Sequence, residues 1–296
     1  MDSPLPYGIA PPTYRLPDAT HVGAVRLQVA DLARSIDYYT GVLGLRVARA
    51  AAEAAWLTPH DDDRVLVEIH AHAGLRPVPR QGRLGLFHFA LLVPDRAALG
   101  RFVRHIADRG VYAGSADHAV SEAVYLTDPD GLGIEVYADR PREAWRLAGR
   151  ELHMTTEPLD LRGLVRAAGD APWSGMPAGT TMGHVHLHVG DLAAGAAFYH
   201  AALGLDQVVW SYPGALFLSA GGYHHHLGTN TWAGAAPPAR DDEARLRDWA
   251  LVLPGAASRD AAVRSLHAAG FDTAADGDDV LARDPWGTVV RLRAQL

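Results

Sequence analysis

The sequence predicts an α+β fold built from four βαβββ modules, and three observations lead there. Gly23-Ala-Val-Arg-Leu-Gln-Val-Ala-Asp31-Leu, ending at Leu43-Gly44-Leu45, lies without gaps over Gly183-His-Val-His-Leu-His-Val-Gly-Asp191-Leu, ending at Leu203-Gly204-Leu205, at an offset of 160 residues. His88-Phe-Ala-Leu-Leu-Val-Pro94 and Asp248-Trp-Ala-Leu-Val-Leu-Pro254 repeat at the same offset of 160 and run on to Gly110 and Gly270, so the chain duplicates a two-part unit. Each part then reads alike: an alternating strand, an amphipathic helix, a Gly turn, and short strands ending in a buried one.

In chain order, residues 1–19 form an N-terminal extension, and residues 20–139 hold the first module pair, module 1 at 20–73 and module 2 at 84–139. A linker follows at 140–179, and residues 180–296 hold the second pair, module 3 at 180–235 and module 4 at 245–296. The helices of modules 1 and 3 carry the aromatic pairs Tyr38-Tyr39 and Phe198-Tyr199. Asp128-Pro-Asp-Gly131 and Asp284-Pro-Trp-Gly287 are turns before each half's last strand, with Pro pre-setting φ and Gly closing the turn. Residues 74–83, rich in Gly, Pro and Arg, and 234–244, rich in Gly, Ala and Pro and then acidic, are loops between modules. Within the linker, Pro141-Arg-Glu-Ala-Trp145 and Asp160-Leu-Arg-Gly-Leu-Val-Arg166 read as short helices among Pro172, Gly175 and Pro177.

Composition narrows the chemistry. A length of 296 residues suits about two domains, and a 48% hydrophobic content suffices for their cores. The net charge of −7 offers no basic field for phosphates, so nucleic acid is not an expected partner. With no cysteine, any metal must be held by nitrogen and oxygen. Met1 to Pro12 lacks the basic and apolar regions of a signal peptide, and no run approaches the ~18 apolar residues of a membrane span. A cytoplasmic protein with no membrane partner is expected; a homo-oligomer is compatible with the composition.

Strand parity locates candidate ligands. In module 3, Val185, Leu187 and Val189 pack under the helix, leaving His184, His186 and His188 on the concave face. The same split packs Phe89, Leu91 and Val93 and turns His88 inward, packs Ile134 and Val136 and turns Glu135 inward, and in modules 1 and 4 turns in Ala24, Asp248 and Arg291. A carboxylate between Ile and Val on a buried strand is costly unless paired or coordinated. His88, Glu135 and His184 stand at equivalent strand positions of repeated modules and are the candidate metal ligands. Two His and one carboxylate with open positions suit non-haem Fe(II), and the same donors accept Mn(II), Ni(II) or Zn(II). The run His224-His225-His226 reads as part of module 3's last strand, with His224 and His226 on one face and His225 on the other. A histidine there, beside the metal, suits a general acid/base or a fourth ligand.

The pattern Val-x-Asp-Leu, an aromatic pair, Leu-Gly-Leu, and Asp-Pro-Asp-Gly-x-Gly-Ile-Glu135-Val-Tyr137 resembles the vicinal oxygen chelate superfamily, which spans glyoxalases and extradiol dioxygenases. Gly-Leu-Phe-His88-Phe-Ala-Leu-Leu-Val-Pro, Ser121-Glu-Ala-Val-Tyr-Leu, Met182-Gly-His-Val-His-Leu-His-Val and Gly221-Gly-Tyr-His-His-His-Leu-Gly-Thr-Asn-Thr-Trp232 look like its catechol 2,3-dioxygenase-type members, over nearly the whole chain. The resemblance implies that modules pair into two cup-shaped, mostly antiparallel half-barrels. Pairing in chain order leaves neither cup with a full ligand set. Pairing modules 2 and 3 collects His88, Glu135 and His184 in one cup and leaves Ala24, Asp248 and Arg291 in the other, where Arg291 would repel a cation; this pairing is preferred. The implied activity is extradiol ring cleavage of a catechol-type diol by O2 at Fe(II), with His226 as first and His186 as second choice of proton carrier. Tyr137, Trp232 and His225 are candidates for substrate contact, although by parity His225 points away if His226 faces the metal. Two other readings stay open, a glyoxalase-like metal-dependent lyase or isomerase and a metal-free drug-binding protein.

Overall fold

A computed structural model of the chain describes residues 7–295; residues 1–6 of the N-terminal extension, and residue 296, lie outside the described residues. Two eight-stranded curled sheets form, each taking one module from each half of the chain. In the first, Thr181–His188 of module 3 pairs antiparallel with Gly85–Leu92 of module 2 at the centre. In the second, His21–Val29 of module 1 pairs antiparallel with Arg245–Leu253 of module 4. Each central strand pairs on its other side with the last strand of its own module, in parallel: Gly133–Asp139 beside Gly85–Leu92 and Leu227–Asn230 beside Thr181–His188 in the first sheet. All other pairings in both sheets are antiparallel. Neither half of the chain therefore makes a sheet by itself.

The split of strand faces follows from apolar alternation. Val25, Leu27, Val29, Phe89, Leu91, Val93, Ile134, Val136, Val185, Leu187, Val189, Trp249, Leu251, Leu253, Val290 and Leu292 all enter one continuous core. In three modules the helix starts at the Asp that follows the first strand. Asp31, Asp95 and Asp191 accept from the backbone N–H three residues on, each satisfying a donor that the first helical turn leaves bare. The fourth uses Gly255 at φ 93°. The Asp-Pro-x-Gly turns do more than reverse the chain. Asp128 accepts from the N–H groups of Asp130 and Leu132 and from the hydroxyl of Tyr39 in module 1. Asp284 does the same with Trp286, Thr288 and Tyr199 of module 3. Each half of the chain is thus tied internally although its modules lie in different sheets.

This topology decides which connections cross between sheets. The loops after modules 1 and 3 must both cross, and they run side by side, with the Arg83 guanidinium forked onto Glu243 at 2.7 and 2.6 Å. The linker, by contrast, joins two modules of the same sheet and returns across its cup. It carries a 3-10 turn at Arg142–Ala144 and a helix at Leu161–Ala167 capped by Asp160, where the sequence predicts short helices. No helix among the described residues is long and apolar enough to cross a membrane.

One expectation fails. The segment 220–226 is a turn, and the last strand of module 3 begins only at Leu227. Gly221 and Gly222 both adopt positive φ, so the chain bends before the three histidines rather than extending through them.

Candidate metal centre and its cavity

Because modules 2 and 3 share a sheet, His88, Glu135 and His184 project from three neighbouring strands into one cup. All three are buried, and their donor atoms lie within 4.8 Å of one another. Glu135 Oε2 is 2.9 Å from His88 Nε2 and 3.0 Å from His184 Nε2. Burial pushes the Glu135 carboxyl up, but the His184 and His88 rings more than offset it, holding the group well below the usual carboxylate range. Burial also pulls His184 down to about 4 against the opposing pull of Glu135. The result is a carboxylate with a neutral imidazole, the protonation states a divalent cation requires of its ligands. His88 Nε2 is buried with no hydrogen-bond partner despite its closeness to Glu135, the state expected of a nitrogen whose lone pair is kept for an ion. The residues present therefore fit a metal bound by two His and one Glu.

A cavity of about 360 Å³ opens above these donors. Phe87, Phe217 and Trp232 form much of its apolar wall, and Met154, Thr155 and Thr156 of the linker close one side. Among the described residues, Glu135 is the only carboxylate that lines it, and no Lys or Arg does. Trp232 stands at the mouth, 48% exposed, with its ring 5.5 Å from that of His186.

The other expected site residues separate. His186 lines the cavity directly across the sheet from His88, but its Nε2 accepts from the Asn230 side chain at 2.9 Å. Asn230 in turn takes the Nδ1 proton of His188 at 2.6 Å and the N–H of Trp232 at 3.0 Å, so one amide holds two lining groups, His186 and Trp232, together with His188. His225 turns into the metal cavity, its ring centroid 4.1 Å from that of His184. His226 does not: its Nδ1 accepts from the Ala220 N–H at 3.1 Å, and its ring lines a separate cavity of about 610 Å³ between the two cups. The expectation that His226 faces the metal while His225 points away is therefore reversed, because the alternation of a strand does not apply to a turn. Tyr137 also departs from its expected place. It is fully buried beneath His184, 4.9 Å between ring centroids, and its hydroxyl meets that of Tyr223 at 2.6 Å instead of facing substrate. Gly183 makes room for it, since a Cβ there would stand 1.8 Å from the Tyr137 oxygen.

Among the lining residues that escaped the sequence reading are Tyr125 and His118. Tyr125 lies directly across from Glu135 on the neighbouring strand, its ring 5.5 Å from that of His88. Its hydroxyl donates to His118 Nε2 at 2.5 Å, and His118 Nδ1 donates to the Thr155 carbonyl at 2.6 Å. Burial pushes the Tyr125 phenol well above its ordinary range, with Glu135 adding to the effect. The signal for Tyr125 was present: Val124 and Leu126 belong to the core, so parity alone turns Tyr125 into the cup. His118 sits in a turn and offered no such signal.

The second cup contains an ion network instead. Arg291 places Nε 2.9 Å from Asp248 Oδ1 and Nη1 2.7 Å from Asp276, while Arg26 binds Glu68 at 2.9 Å.

Comparisons with known proteins agree with this architecture. A family profile described as the Glyoxalase/Bleomycin resistance protein/Dioxygenase superfamily matches residues 20–136 and 181–291. A protein of Bacillus subtilis (strain 168) named catechol-2,3-dioxygenase is 42% identical over 271 residues, covering 90% of this chain and 94% of that one. Among solved structures, a chain from Bacillus subtilis subsp. subtilis str. 168 shares the fold at a TM-score of 0.65 and 14% identity, with 95% and 86% of the two chains covered. Glyoxalase I from Zea mays does so at a TM-score of 0.55 and 19% identity, with 93% and 92% covered.

Proposed function

The chain belongs to the glyoxalase/bleomycin resistance protein/dioxygenase superfamily, and from that premise we propose that it is an extradiol dioxygenase, opening the ring of a catechol-type diol with O2. The observation that carries this reading is the buried His88, Glu135 and His184 set at the floor of an apolar cavity. Fe(II) is the metal we assign, since two imidazoles and one carboxylate suit it and leave positions for a diol and for O2, and it would supply the redox chemistry of ring opening.

The chain's own residues do the rest. Phe87, Phe217 and Trp232 present faces and edges to a planar aromatic ring and keep water from it. A diol that binds as an anion must lose a proton, and the opened product must regain one. His225 is the proton carrier in this proposal, because burial keeps its imidazole uncharged and ready to accept, and its ring lines the cavity. His186, with Nε2 engaged by Asn230, is assigned to the wall. Tyr125 holds its proton far above neutral pH and gives it to His118 Nε2, so it is assigned to the wall as a neutral hydroxyl. A lyase of glyoxalase type would need a second carboxylate at the metal. Glu68, the spare acid on a comparable strand, belongs to the other cup and is bound by Arg26.

The test is anaerobic reconstitution with Fe(II), addition of catechol, and admission of air. A yellow ring-cleavage product is expected, with metal content near one per chain. His88→Ala, Glu135→Ala and His184→Ala should each empty the site. A His88→Ala protein that kept full metal and activity would overturn the assignment.

A further inference from the structure

The three consecutive histidines occupy three environments, and two of them belong to a hydrogen-bonded chain leading away from the metal cavity. His225 Nδ1 lies 2.8 Å from His224 Nδ1. His224 Nε2 lies 2.8 Å from Asp139 Oδ1, and Asp139 also accepts from the Tyr223 hydroxyl at 3.1 Å. Asp139 ends the strand that carries Glu135 and Tyr137, so by alternation all three point to one side. The strand that supplies a metal ligand thus also supplies the far end of this chain.

For a neutral His224 the protons along it have one consistent arrangement. An ionised carboxylate only accepts, so His224 carries its proton on Nε2. With its one proton given to Asp139, a neutral His224 has a bare Nδ1 that accepts. His225 must then donate from Nδ1, which leaves its Nε2 bare on a ring that lines the cavity. The middle ring has little freedom to choose otherwise. Tyr223 lies over it at 4.1 Å between centroids, Trp145 meets it edge-on at 5.5 Å, and Tyr137 at 5.9 Å.

We propose that Asp139, acting through His224, is a positioning residue that fixes His225 in the tautomer whose bare Nε2 faces the metal cavity. This rests on reading His225 as the proton carrier. The logic is that by which a buried carboxylate fixes the tautomer of a catalytic histidine in serine proteases, here with a second imidazole interposed.

The decisive measurement does not depend on turnover. In full-length protein with ¹⁵N-labelled histidine rings, metal-free and loaded with diamagnetic Zn(II), long-range proton–nitrogen correlation reports which ring nitrogen of His225 carries the proton. Nδ1 is expected in the native chain, with a shift toward Nε2 in Asp139→Ala and His224→Phe and a return toward Nδ1 in Asp139→Glu. In ring cleavage, Asp139→Ala and His224→Phe should lower kcat by about 10–100-fold with KM and metal content little changed. Asp139→Ala added to His225→Gln should cost nothing further, since both act through one group. A native His225 protonated on Nε2, or an equal loss of kcat from Asp139→Ala in the His225→Gln background, would overturn the proposal. Absence of ring cleavage with any catechol would instead sink the functional reading and leave the tautomer measurement to decide this one.

Discussion

His225 and His226 are adjacent in the chain, yet only one can serve the metal cup. His226 spends Nδ1 on the Ala220 N–H, and burial pulls its ring down to about 3, leaving a neutral imidazole turned toward the second cavity. His225 is equally uncharged but sits against His184 and Phe217. His225→Ala is therefore expected to slow ring cleavage by roughly 10²–10⁴ with metal content unchanged, the usual effect of losing a general acid/base. His226→Ala should leave turnover near the native rate, with only a stability change of ordinary size. Steady-state cleavage with bound metal quantified in the same samples separates the two. A loss confined to the His226 variant would show that the turn at 220–226 lies the other way.

At the level of elements, what could be read in advance was whatever a strand's alternation controls. Val185, Leu187 and Val189 against His184, and Ile134 and Val136 against Glu135, disclose the two faces of their strands before any pairing is known, because burying the wrong face would expose every apolar side chain at once. The pairing itself was legible only through chemistry, as the arrangement that gathers the ligands and sets Arg291 apart. Alternation is silent where the chain turns. His224 to His226 and His118 lie in turns, and their directions come from Gly221, Gly222 and neighbouring contacts. Nor does parity give depth: Tyr137 shares the face of Glu135 but lies one pleat on, under His184. That close packing makes Gly183 a test of the element. Gly183→Ala places a Cβ 1.8 Å from the Tyr137 oxygen and must displace it from Tyr223, an overpacking expected to cost about 1–3 kcal/mol. Gly114→Ala, whose Cβ would meet Tyr125 at an ordinary 3.6 Å, should fall well below that in urea unfolding. Equal costs would mean that the Tyr137 contact is not tight.

Across the whole molecule, two cups of the same construction hold opposite contents. Where one presents His88 and Glu135 from a first and a last strand, the other presents Asp248 and Arg291, joined at 2.9 Å and 3.2 Å through two guanidinium nitrogens. The positive charge that a metal would bring is supplied there by the chain itself, and a cation entering beside Arg291 would meet repulsion. One metal per chain is the expected ratio. Arg291→Met retains much of the apolar stem but leaves buried Asp248 with only Arg26, at 3.7 Å, and strands Asp279 on Arg293 alone. Removing one partner of a buried pair typically costs about 3–5 kcal/mol, and urea unfolding should show a loss of that order. Adding Asp248→Leu should recover much of it, because an apolar pair replaces the ions and no bare charge remains. Through all of this the metal content and the cleavage rate of folded protein should stay at native levels, since none of these side chains lines the cavity above His88, Glu135 and His184. Two metals per native chain, or a folded Arg291→Met protein that has lost turnover, would show that the second cup takes part in the chemistry.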